Sequence, residues 1–237
     1  MSEHAPRPIF IHGAGSGVDA WDAQLDHFEG AGVVALPGHP EGDPCDTIEG
    51  YAACVAAAIA GDDRPIVCVG HSMGGQIALQ MALDDPELVR GVIVLASGAH
   101  IEVPAHSRTA VQNDFASQCE RFARAAYVTP DDDVIHDDVL AMMRAGQETI
   151  LADYDALDAW RGGMRLAEIQ QPVLVVGAAA DRITPPALST ALAANFTNVV
   201  AAEIPAVGHM VQREGARLVN LLIAGFLARL ELALLGG

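Results

Sequence analysis

Hydrophobic positions along the chain follow two alternating patterns. Short apolar runs rich in Val and Ile occur at "PIFIHG" (8–13), "GVVALPG" (32–38), "PIVCVGH" (65–71), "VRGVIVLAS" (89–97), "PVLVVGA" (172–178) and "NVVAAEIPA" (198–206). Each is bounded by Gly, Pro or small polar residues, as strands are. The first, third, fourth and fifth are nearly continuous, which fits strands covered on both faces. The sixth alternates more, placing it nearer an edge. Helix-period stretches separate them near 18–29, 46–60, 74–84, 185–195 and 214–233. Strand–helix alternation of this kind predicts an α/β fold: a mostly parallel sheet of about six strands with helices on both faces.

Residues 99–167 break the alternation. In "AVQNDFASQCERFARAAYV", Val111, Phe115, Phe122 and Ala126 fall on one helical face, and "VLAMMRAG" and "ETILADYDALDAW" read as further helices. The expected organisation is a core of residues 1–98 and 168–237, with 99–167 as a helical cap over one end of the sheet.

Composition narrows the class. The chain has 237 residues, 51% of them hydrophobic, enough for one large core. No run is expected to reach the roughly 18–20 apolar residues that cross a bilayer. The N-terminus shows no basic-then-apolar leader, and Cys45, Cys54, Cys68 and Cys119 form no dense framework; both point to a cytoplasmic protein. All 13 basic residues are arginine, against 31 acidic ones, for a net charge of −18. That charge disfavours nucleic acid and anionic membrane as partners. It reflects either a coding bias or adaptation to high salt.

Candidate chemistry begins at "VCVGHSMGG" (67–75). Ser72 sits between a buried strand and a helix, flanked by Gly70, Gly74 and Gly75, in the pattern Gly-x-Ser-x-Gly. Glycines there let strand and helix approach while the serine is held strained and exposed. A serine nucleophile needs a base, and the base needs an orienting group. Of nine histidines, His209 in "IPAVGHM" follows the last strand and reaches over the sheet edge. His12, His39 and His71 lie in tight glycine motifs, and His4, His27, His106 and His136 lie at the terminus, in the first helix or in the cap. His100 is a candidate substrate contact. Asp181 in "GAAADRITPP" is placed to orient the base, with Thr184 as the cap of the next helix and Pro185 at its first position; the rival loop after "VLAS" holds Glu102. Backbone N–H groups of Met73 and of Ala14, in "HGAGSG", are expected to bind an oxyanion. Met142, Met143, Tyr154 and Trp160 are candidate pocket residues from the cap.

These segments, with "FIHGAGSGVDAWD" and "LPGHPEG", resemble the α/β-hydrolase fold superfamily over residues 8–235, in the chain order Ser72, Asp181, His209. The resemblance implies a lid after the sixth family strand. Only seven residues precede Pro8, so the family's N-terminal hairpin is expected to be missing, and the oligomeric state is left open. The implied activity is hydrolysis of a small carboxylic ester or lactone through an acyl-enzyme, with no cofactor and no metal. The same residues serve C–C bond hydrolases, lyases and perhydrolases, and a non-catalytic ligand-binding protein on this fold is the rival of a different class.

The two explanations of the surface charge separate on salt. Under salt adaptation, the melting temperature rises markedly from low to molar salt as self-repulsion is screened. Coding bias predicts only a small rise.

Overall fold

The computed structural model describes residues 5–129 and 131–236. His4 lies outside them. Six strands form one sheet: β1 (Arg7–Ile11), β2 (Gly32–Val34), β3 (Ile66–His71), β4 (Val89–Leu95), β5 (Val173–Ala178) and β6 (Val199–Ile204). Their order is β2-β1-β3-β4-β5-β6 and every pair is parallel. The four central strands are almost wholly buried, while β6 is largely open, as expected of an edge.

The helices are α1 (Asp22–Leu25), α2 (Ile48–Ala58), α3 (Met73–Asp84), α4 (Ala105–Asn113), α5 (Phe115–Ala125), α6 (Asp132–Ala159), α7 (Pro186–Ala193), α8 (Val211–Glu214) and α9 (Ala216–Leu235). Tyr51, Ile77 and Leu192 from α2, α3 and α7 join one apolar cluster with Ile9, Cys68 and Val92 of the sheet. Trp21, Ile223 and Phe226 join a second with Phe10, Val69 and Ile93. Side chains alternate across each strand, so each face has its own core.

Between β4 and β5 lie α4, α5 and α6. One detail differs from the sequence reading and one agrees with it. The stretch 110–128 is two helices, because Asp114 takes φ −152°, ψ 74° and its carboxylate accepts from Ser117 N–H as the cap of α5. α6 is broken at Gly146, whose φ of 87° is left-handed, so its two halves correspond to the separate helices read in "VLAMMRAG" and "ETILADYDALDAW".

The final helix also departs from expectation. An 18-residue window of α9 reaches a mean hydropathy of 2.0, long and apolar enough to cross a membrane by composition. Here Val219, Ile223, Phe226 and Leu230 pack into the core, and Phe226 lies against Gly91 of β4.

Register brings the strand ends together. Ile11 pairs with Gly70, and Gly70 with Val94, so the loops after β1, β3 and β4 emerge at the same edge. The loop after β3 demands glycine: a methyl on Gly70 would overlap the Gly74 carbonyl, and one on Gly74 the Ile11 carbonyl. Gly74→Ala is therefore expected to lower stability by at least ~1–3 kcal/mol, the overpacking range. Gly225→Ala, in α9 with nothing within 4 Å of the added carbon, is expected to raise it by ~0.5–1 kcal/mol. Urea denaturation of the two variants checks the contrast.

Candidate active site

Ser72 occupies the turn from β3 into α3 with φ 53°, ψ −119°, a conformation strained for a residue with a side chain. Three hydrogen bonds hold it there. Its N–H donates to the Leu95 carbonyl at 3.0 Å, and its own carbonyl accepts from Gly75 N–H at 2.9 Å and Ser97 Oγ at 2.8 Å. Ser97 thus braces the turn from the end of β4. Met73 opens α3, so its N–H belongs to the unsatisfied first turn.

Opposite stands His209, after β6. Its Nδ1 lies 2.8 Å from Asp181 Oδ2, in the loop after β5. The carboxylate is saturated: Oδ1 accepts from Ile183 N–H at 2.8 Å and Thr184 N–H at 2.9 Å, and Thr184 Oγ1 is 2.7 Å from Oδ2. Burial alone would raise the Asp181 pKa, but the hydrogen bond and charge of His209 and the hydrogen bonds from Thr184 outweigh it and hold it below the usual carboxylate value. An ionised acceptor at Nδ1 places the proton of a neutral imidazole there and leaves Nε2 basic.

Thr184 corrects the sequence reading. Pro185 is the cap of α7 and Pro186 its first residue. The Thr184 hydroxyl instead lies within hydrogen-bonding distance of Asp181, the Ala96 carbonyl (2.9 Å) and His209 Nδ1 (3.1 Å). A threonine three residues after a loop aspartate reads equally as a cap or a carboxylate partner, and only the fold chooses. His71 is a second support. Its Nε2–H donates to the His209 carbonyl at 2.9 Å, and burial, with His209 nearby, pushes its pKa down to about 3, so it stays neutral.

Ser72 and His209 line one cavity with Gly13 and Ala14 of the loop after β1, Phe122 of α5, and Met142 of α6. The space open there to a water-sized sphere is about 40 Å³, room for only a few waters. A smaller chamber of about 20 Å³ lies beyond Ala14, Phe122 and Met142, walled by Val111, Phe115 and Tyr154 among others. Asp19 and Asp138 also line the first cavity. Arg213 pairs with both, at 3.3 and 2.7 Å, which ties α6 to α8 just beyond His209.

Of the residues read from the sequence, Ser72, His209, Ala14 and Met142 meet in this cavity, and Asp181 stands behind His209. Tyr154 lines only the second chamber, and three others line neither. His100 is exposed, Met143 is 43% exposed, and Trp160 is buried in the core with its Nε1–H donating to Gln80 at 2.9 Å. Glu102 is exposed. Phe122 falls on the apolar face of its helix in the sequence, but its place in the pocket wall has no local signal. Among the described residues no three His, Cys, Asp or Glu side chains converge as metal ligands do.

A serine on a strained strand–helix turn, facing a histidine backed by a buried aspartate across the end of a parallel sheet, defines the α/β-hydrolase class. The chain belongs to the Alpha/beta hydrolase family, whose pattern residues 9–221 match. It is 31% identical over 207 residues to a pimeloyl-[acyl-carrier protein] methyl ester esterase of Neisseria meningitidis serogroup C, covering 78% of this chain and 79% of that protein. Its fold is similar to Est816, described as an N-acyl homoserine lactone degrading enzyme, at a TM-score of 0.81, 27% identity, and 94% and 93% coverage. A thermophilic esterase from Thermogutta terrifontis superposes with a TM-score of 0.85 at 21% identity, over 96% of this chain and 90% of that one.

Thr184→Val is expected to lower stability by ~1–3 kcal/mol, the cost of stripping a donor from a buried acceptor. Thr184→Ser, which keeps the hydroxyl, should stay near wild type by urea denaturation.

Proposed function

We propose that this protein is a serine hydrolase of small carboxylic esters or lactones. The observation that carries the reading is the Asp181–His209 hydrogen bond at the cavity that also holds the strained Ser72. Ser72 Oγ attacks the substrate carbonyl while His209 Nε2 takes its proton. The developing oxyanion lies between the N–H groups of Met73 and Ala14. The protonated His209, balanced by Asp181, then delivers the proton to the leaving alkoxide. Water, deprotonated by His209, attacks the acyl-enzyme and frees Ser72. Asp181 stays ionised throughout, for the reasons of hydrogen bonding given above. Residues 99–167 act as the cap that closes this site, with α5 and α6 supplying Phe122 and Met142.

Cavity size narrows the substrate. The leaving group must lie towards His209, so the acyl group points past Ala14 towards Phe122 and Met142. The small space there favours short acyl chains or compact lactones. A non-catalytic ligand-binding protein is the alternative, and turnover decides between them.

A fluorophosphonate should label wild-type protein at Ser72 and leave Ser72→Ala unlabelled. p-Nitrophenyl acetate and butyrate should be hydrolysed faster than the octanoate, with Met142→Ala narrowing the difference by joining the two chambers. Asp181→Asn should lower kcat by up to ~10⁴, since His209 loses both its tautomer and its counter-charge. Glu102→Gln should leave kcat nearly unchanged. Labelling of Ser72→Ala equal to wild type, or the absence of any ester turnover, would remove the reading.

A further inference from the structure

One buried carboxylate has no part in the mechanism above. Asp153, in the second half of α6, is fully buried. Tyr51 O–H donates to its Oδ1 at 2.7 Å. Its Oδ2 lies 3.0 Å from both the Gly15 N–H and His39 Nε2. The other ring nitrogen of His39 faces the Pro37 carbonyl at 3.1 Å. With both ring nitrogens facing acceptors, His39 is arranged to hold two protons, as an imidazolium against the Asp153 carboxylate. Burial opposes that charge, but the bond and charge of Asp153 raise the His39 pKa above its ordinary value.

Neighbouring His12 is the contrast. It donates Nδ1–H to the Gly13 carbonyl at 2.9 Å and accepts from Leu36 N–H at Nε2, and burial beside His39 pushes its pKa down to about 3. The loop carrying Ala14 is therefore gripped on both sides, by neutral His12 at Gly13 and by Asp153 at Gly15.

Gly15 is also covered from above. Its φ is 64°, and a methyl there would meet Ile150 at 2.6 Å and Met142 at 3.1 Å, from the two halves of α6. Buried ion pairs give little net stability compared with apolar packing. A charged pair at this spot does hold one backbone N–H at a fixed position, next to the N–H that the oxyanion needs.

We propose that Asp153 is a positioning residue for the oxyanion loop: by holding Gly15 N–H, it aims Ala14 N–H at the developing charge, and only when the second half of α6 is seated. The inference rests on the serine-hydrolase reading. Binding of the ground-state ester then depends little on Asp153, and stabilisation of the tetrahedral state depends on it strongly.

The test uses a trifluoromethyl ketone, to whose carbonyl carbon Ser72 Oγ adds. The Oγ–C bond forms, the carbonyl π pair becomes an oxyanion, and the Ser72 proton passes to His209. Rates are normalised to sites labelled by fluorophosphonate. Asp153→Ala is expected to lower kcat/KM and ketone affinity by the same factor, about 10–100-fold, below the 10²–10³ of losing a donor outright. KM should move less than about threefold. Tyr51→Phe, which removes one donor to Asp153, should show a smaller loss in both, in the same ratio. Arg108→Ala breaks the pairs of Arg108 with Asp155 and Asp158 on the same half of α6, and should lower the melting temperature without touching either quantity.

Wild-type ketone affinity and kcat/KM in Asp153→Ala would overturn the proposal, as would a loss in Arg108→Ala of the same size as that in Asp153→Ala. Should Asp153→Ala not fold, Tyr51→Phe decides, and unchanged ketone affinity there overturns it. A wild-type protein that neither labels nor turns over esters fails the hydrolase reading instead.

Discussion

The turn from β3 into α3 is the constraint on which the rest depends. Ser72 can hold φ 53° only because Gly70 and Gly74 leave no side chain between strand, helix and β1. That contact sets how closely α3 lies on the sheet, and hence where the loops after β1 and β4 run. The hydrogen bonds from Ser72 N–H to Leu95 and from Ser97 to the Ser72 carbonyl then lock the strained residue in place. Local strain of this kind persists when its surroundings over-determine it. Here they do so through backbone bonds that need no particular side chain except Ser97.

Two buried Asp–His pairs flank that turn, and their different partners give them different chemistry. Asp181 accepts on both oxygens from its own loop, and the histidine it faces lines the cavity. Asp153 joins three separate segments, at Gly15, His39 and Tyr51, and its histidine is enclosed with both nitrogens occupied. In the first pair, Asp181 holds Nδ1 of His209 and the rest of the ring faces the cavity. In the second, both ring protons are committed, so the pair fixes geometry. The ionic pair Arg213–Asp138 adds a further tie between α6 and the element following His209.

Much of the frame was legible in order along the chain. Apolar runs marked the buried strands, and the broken alternation at 99–167 marked the inserted helices, because both patterns follow from which faces a segment must hide. Ser72, Asp181 and His209 could be read because each sits at a strand end, with glycine, proline or the next helix close by in sequence. Local pattern was less reliable where two readings share one signature. Thr184 before two prolines reads as a helix cap, and it is a partner of Asp181. Trp160 and Met143 read as pocket residues, and they fell to the core and to the surface because a helix's orientation about its axis is set by packing.

The sequence by itself determined the sheet, the tight serine turn and the three residues whose chemistry stands out, since each depends on short-range sterics or on periodicity. The tertiary structure decided what surrounds them. It turned Phe122 and Met142 into the cavity, left His100 outside, and buried Asp153 against a loop 138 residues away in the chain. Nothing local distinguishes that aspartate from its acidic neighbours Asp155 and Asp158, which face Arg108 near the surface. Burial and pairing come from how helices and loops meet, and contacts between distant segments leave no period in the sequence.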